Sequence, residues 1–144
     1  MLKDHVKFVI DELRRHNINY VGTKSGRGRR GTTILVETTI NNKKVEKVVK
    51  IKKSQINHDG EYWLLNDIGV TTFAEDNNNV YIFIDKLNNL HIVPSKAVKV
   101  ALDMGHNTWL KYPSKSGKVH RDSTLRHYKE PSGIYINNFE EFRK

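Results

Sequence analysis

Hydrophobic positions recur along this chain with two periods, and the change from one to the other marks its elements. Over residues 3–16 (KDHVKFVIDELRRH), Val6, Val9, Ile10 and Leu13 fall at helical spacing, with Asp4 early and Arg14, Arg15 and His16 late, as a helix dipole prefers. The pattern predicts an amphipathic helix whose far-face charges are solvated. INYVGTKS then reads as a short strand. From Thr32 to Leu65 the period is two: TTILVETTI, a turn at Asn41-Asn42, KKVEKVVKIKKS, a loop NHDG, and EYWLL form three strand-like runs separated by turn residues. In the second run, alternation puts Val45, Val49 and Ile51 on one face and Glu46, Val48, Lys50 and Lys52 on the other. Two lysines therefore project together from a strand whose opposite side is apolar.

Beyond this stretch, VTTFAEDNNN reads as a polar connection with a turn at Asp76-Asn77-Asn78-Asn79. VYIFID (80–85) is a near-continuous apolar strand, KLNN a hairpin turn, and LHIVP (90–94) its partner. Ser95 is placed as the N-cap of a helix running through Met104, with Ala97, Val98, Ala101 and Leu102 as its buried stripe and Gly105 as its stop. Residues 105–144 read as a basic, loop-rich C-terminal part in which Asn138 caps a short closing helix holding Phe139 and Phe142. The elements predict an α/β (α+β) fold, a central mixed β-sheet flanked by helices, within one domain spanning 1–144.

Charge adds a partner class. With 25 Lys and Arg against 16 Asp and Glu, the formal charge is +9, a field that attracts polyanions. Nucleic acid is the expected partner, with DNA first; a generally basic proteome is the competing explanation. There is no cysteine, which excludes disulfides, thiolate catalysis and Cys-based metal sites. No run approaches the roughly 18 apolar residues of a membrane helix, and MLKDHVKF is too polar for a signal peptide. A soluble, cytoplasmic protein without a membrane partner is expected.

Two basic stretches follow from the same composition. Residues 22–31 form a Gly/Arg-rich loop carrying Lys24, Arg27, Arg29 and Arg30, suited to wrapping a phosphate backbone or to being an ordinary hairpin loop. It is no P-loop, because no Gly-Lys-Ser/Thr ending leads into a helix. The tail carries Lys111, Lys115, Lys118, His120, Arg121, Arg126, His127 and Lys129 with Trp109, Tyr112 and Tyr128 interleaved, a pattern that serves phosphate contact with base stacking, or core anchoring by the aromatics. His58 with Asp59, and His120 with Asp122, lack a third metal ligand at helical or strand spacing. His91 reads as a packed or half-exposed histidine and His106 as part of the turn after the helix.

The order of helix, basic loop, TTILVETTI, KVVKIKKS, EYWLL, VYIFID and LHIVPSKAVKVAL, then WL-x-x-P and a late Arg-His-Tyr, resembles the restriction-endonuclease-like superfamily. IVPSKAV followed by WLKYP is the most specific part, similar to small bacterial and phage members. The resemblance implies a PD-(D/E)XK site: an Asp on one strand, and an acidic or Gln residue two positions before a Lys on the next, the acids holding a divalent metal ion. Lys52 falls at the lysine position, Lys50 where the Glu or Gln belongs, and Thr33, or Thr32, where the Asp belongs. A hydroxyl and a cation replacing two carboxylates imply a degenerate motif that has lost metal-dependent cleavage.

Three readings follow. The first is a nucleic-acid-binding protein without catalysis and without a cofactor, contacting backbone through Lys24, Arg27, Arg29, Arg30, Lys50, Lys52, Lys53, Lys115, Lys118, Arg121 and Arg126 in one cleft. The second is a Mg- or Mn-dependent endonuclease with Lys52 as catalytic lysine and a migrated set of carboxylates, Glu37, Asp59 and Glu61. The third is a phage or mobile-element inhibitor that binds a host nuclease or its guide RNA. By analogy with nuclease-like folds a homodimer is expected.

Overall fold

A computed structural model describes residues 3–24, 32–58, 60–111, 125–129 and 133–144. The chain opens with helix α1 (Asp4–Arg15), followed by strands β1 (Asn19–Lys24), β2 (Thr32–Ile40) and β3 (Lys43–Lys53), which form an antiparallel meander. Asn41 and Asn42 both take positive φ, 51° and 64°, giving the primed two-residue turn that suits the twist of paired strands. The short strand β4 (Gln55–Asn57), strand β5 (Gly60–Asn66) and helix α2 (Asp67–Phe73) then carry the chain to β6 (Asn79–Ile84), which lies parallel to β3. Strand β7 (Leu90–Pro94) turns back antiparallel to β6, and helix α3 (Ser95–Lys111) follows. Strand β8 (Leu125–Tyr128) and two 3₁₀ turns, Gly133–Tyr135 and Phe139–Arg143, complete the described elements.

The strands form two sheets, one of five strands in the order β1-β2-β3-β6-β7 and one of three in the order β4-β5-β8. The expected mixed α/β architecture is present. EYWLL, read beside the central strands, belongs instead to the smaller sheet, which packs Trp63, Leu65 and Tyr128 against Tyr81 and Phe83 on one face of the larger one. The other face carries α1 and the Phe139–Arg143 turn against Ile34, Val36, Val49 and Ile51. β6 is thus covered on both sides, with Val80, Ile82 and Ile84 facing α1 and Tyr81 and Phe83 facing the smaller sheet. This accounts for its unbroken apolar sequence.

Several boundaries differ from expectation. The polar connection after β5 opens with α2. Asn66 caps it, its side-chain carbonyl accepting from the amides of Ile68 (3.0 Å) and Gly69 (3.4 Å), while Val70 and Phe73 go into the core. Helix α3 runs through Gly105 and His106 to Lys111, because Gly105 keeps a negative φ and so does not form a left-handed stop. Ser95 is the first residue of that helix; its Oγ donates to the Asp76 carbonyl at 3.3 Å. The closing helix is a 3₁₀ turn, and Asn138 donates to the Ile134 carbonyl instead of capping it. The tail also supplies β8, and Tyr128 there is buried at 2% exposure, a core anchor and not a stacking surface. No helix among the described residues is long and apolar enough to cross a membrane.

Candidate nucleic-acid interface

The site is built from β2 and β3, on the side of the larger sheet opposite α1. Antiparallel register places Thr33 directly opposite Lys50, and Lys24 opposite Thr33 from the other side. Because alternate residues share a face, Lys52 stands two positions further along the same side as Lys50. Beyond β3, Lys50 is in register with Tyr81 and Lys52 with Phe83. Thr33, Lys50 and Lys52 are all half-buried. Two lysines and a threonine therefore share one side of the sheet.

Helix α2 sets the orientation of Lys50. Its last residue, Phe73, presents a ring whose centroid is 4.5 Å from Lys50 Nζ, a cation-π contact that holds the ammonium near the sheet face. Phe73 in turn packs edge-on against Tyr81 (centroids 4.9 Å apart), and Tyr81 stacks on Phe83 at 5.2 Å. Burial pushes the Tyr81 hydroxyl well above the ordinary tyrosine value, so it stays protonated and adds no negative charge beside the lysines.

Toward the other end of the same face the chemistry changes. Leu35 is in register with Val48, and Glu37 with Glu46. Glu37 is paired with Lys44 at 3.9 Å. Glu61 is elsewhere and already engaged: its Oε2 accepts from Ser54 Oγ at 2.7 Å and from the backbone amide of Lys86 at 2.5 Å. Ser54 lies eight positions along the chain from Glu46, on the order of 25 Å in an extended strand, so the structure does not bring Glu37 and Glu61 together. Asp59 lies outside the described residues. No group of three His, Cys, Asp or Glu side chains with metal-holding geometry is present among the described residues.

Of the residues expected in a single basic cleft, Lys50 and Lys52 share a face. Lys53 ends β3 on the opposite side from Lys52, near α1, where burial first, then Lys53 and Lys3, hold the His5 pKa below its ordinary value. Arg126 is half-buried in β8, in register with Leu65, and its guanidinium donates to the Leu125 carbonyl at 3.0 Å. Lys24 is placed by register alone. Arg27, Arg29, Arg30, Lys115, Lys118, Arg121, His120, Asp122 and Tyr112 lie outside the described residues, as does the side chain of Trp109. His106 is within α3, and His91 is buried with its Nε2 donating to Asp85 Oδ2 at 2.8 Å.

Sequence reasoning missed one charged residue altogether. Lys47 sits on the α1 side of β3 at 2% exposure, its Nζ donating to the Lys144 carbonyl at 3.1 Å. Burial lowers its pKa against the opposing pull of Glu141 and Asp76. The alternation of β3 alone would have placed it inward, beside Val45 and Val49.

Comparison of the chain with protein-family models, with curated proteins and with solved structures finds no match.

Proposed function

We propose that this protein binds nucleic acid, DNA first, through the sheet face carrying Thr33, Lys50 and Lys52, and that it does so without a metal ion and without cutting. The observation that carries the reading is the register of β2 and β3. It sets a hydroxyl opposite an ammonium, with a second ammonium next along the same face. These groups suit a phosphate: the lysines supply charge and the threonine a hydrogen-bond donor. They do not suit a divalent cation, which needs carboxylate or carbonyl oxygens and is repelled by Lys50. The order of α1, an antiparallel β1-β2-β3 meander and a parallel β6 beside β3 supports the restriction-endonuclease-like arrangement that the sequence resembles. A formal charge of +9 supports a polyanionic partner.

A mobility-shift experiment with labelled single- and double-stranded DNA and RNA, run in EDTA, magnesium or manganese, tests this. Wild type should shift its preferred strand equally in all three conditions and leave it intact, and Lys52→Ala should shift it less. Metal-dependent cleavage abolished in Lys52→Ala would replace the reading with an enzyme. No shift in any condition would end it.

A further inference from the structure

The smaller sheet has an outward face that neither core uses. In β5, Trp63 and Leu65 point inward, so Tyr62 and Leu64 point out; in β8, Tyr128 points inward and His127 out, opposite Leu64. Tyr62 and His127 are then diagonal neighbours, close enough for rings to meet. They stack with centroids 4.2 Å apart and planes 21° from parallel. From the other side, Tyr62 Oη donates to Gln55 Oε1 at 3.1 Å, which fixes the ring against β4. His127 is exposed, and the stack covers one side of its ring.

We infer that this face is a stacking platform for an unpaired nucleobase, which makes single-stranded nucleic acid the preferred substrate; the inference rests on the binding proposed above. Three observations converge on that occupant. First, among the described residues the outward strand positions Gln55, Asn57, Tyr62, Leu64, Leu125 and His127 include no carboxylate, so these positions add no charge that repels a phosphodiester chain. Second, Lys129, exposed, follows β8 directly, and Lys52 is three residues before Gln55, about 10 Å of extended chain. Both lysines thus belong to chain segments that adjoin the sheet bearing the rings. Third, the Tyr62–His127 pair is pre-formed, so a base that extends the stack immobilises no further side chain, and any base can do so because each has a π-face. A duplex keeps its bases stacked on one another and offers none to the platform.

The test compares a fluorescent oligodeoxythymidine, an abasic strand of the same length and a duplex, titrated with wild type, His127→Ala, His127→Phe and the Lys50→Ala/Lys52→Ala double variant. Wild type should prefer oligodeoxythymidine to both other probes. His127→Ala should lose about 10-fold in affinity for it and nothing for the abasic strand, and His127→Phe should recover the loss. The double-lysine variant should weaken on all three probes. The platform is overturned by equal wild-type affinity for oligodeoxythymidine and abasic strand, by preference for the duplex, or by a His127→Ala loss that is absent or equal on both strands. In those cases the lysine effect still reports phosphate binding by itself. If wild type binds no probe, both proposals fall.

Discussion

Asp85 shows how a single side chain organises the turn beyond the lysine face. Its Oδ1 accepts from the amides of Leu87 and Asn89, both at 2.9 Å, and its Oδ2 from His91 Nε2. Burial works to raise its carboxyl pKa, but the hydrogen bond from His91, the two amides and the charge of His91 outweigh it, and the net result is a pKa below the ordinary carboxylate value. A lowered folded-state pKa means stability that is present above the unfolded value, about 4, and lost as pH falls through the folded one. Asp85→Asn should therefore cost about 2 kcal/mol near neutral pH and flatten the acid limb of the stability profile. Denaturant unfolding across pH 2–7 measures it, and an Asn variant that keeps the wild-type acid limb would show the carboxylate to be idle. Nothing in KLNN announces this role, because the partner His91 stands across the hairpin and an Asp beside a turn looks the same whether or not it is paired. Lys47 differs, since alternation already turns it inward; only its partners, the distant Lys144 carbonyl and Glu141, were beyond local reading.

Among elements, α1, β2, β3, β6 and β7 were legible because each carries its own periodicity or apolar run across several residues, and the Asn41-Asn42 turn because its chemistry is local. Helix α2 was not. It has seven residues, among them Gly69, Thr71 and Thr72, too few and too poor in helix formers for a pattern to emerge. Its stability depends on its cap and on the burial of Val70 and Phe73. It also bears on the proposed site, since Phe73 lies against Lys50. Asn66→Ala should destabilise the protein by about 1 kcal/mol, whereas Asn66→Asp, which keeps the accepting oxygen, should retain wild-type stability. Denaturant midpoints of the three proteins decide it; an unchanged Ala variant would mean that packing alone holds α2. Gly105 misled in the opposite direction, since a glycine late in a helical pattern signals a stop only if it turns left-handed, and this one does not.

For the whole molecule, the candidate site was readable in part. Alternation gave Lys50 and Lys52 a common face, and Thr33 entered only through the family resemblance; the Thr33–Lys50 register sets the two side by side. The separation of Lys53 from Lys52 follows from the same alternation. The engagement of Glu61 by Ser54 and Lys86 does not, because it requires β5 to meet the β6–β7 turn. The Tyr62–His127 stack was equally beyond reach, joining residues 65 positions apart in different strands.

The central claim is that Lys50 and Lys52 neutralise backbone phosphate in the absence of metal. The slope of log affinity against log salt counts the phosphate charges neutralised, at about 0.7 per contact for a single strand and 0.9 for a duplex. Measured in EDTA for wild type and Lys50→Ala/Lys52→Ala, the slope should fall by between one and two units in the variant while the folded fraction is unchanged. A variant with the wild-type slope would contradict the claim and remove this face from nucleic-acid binding.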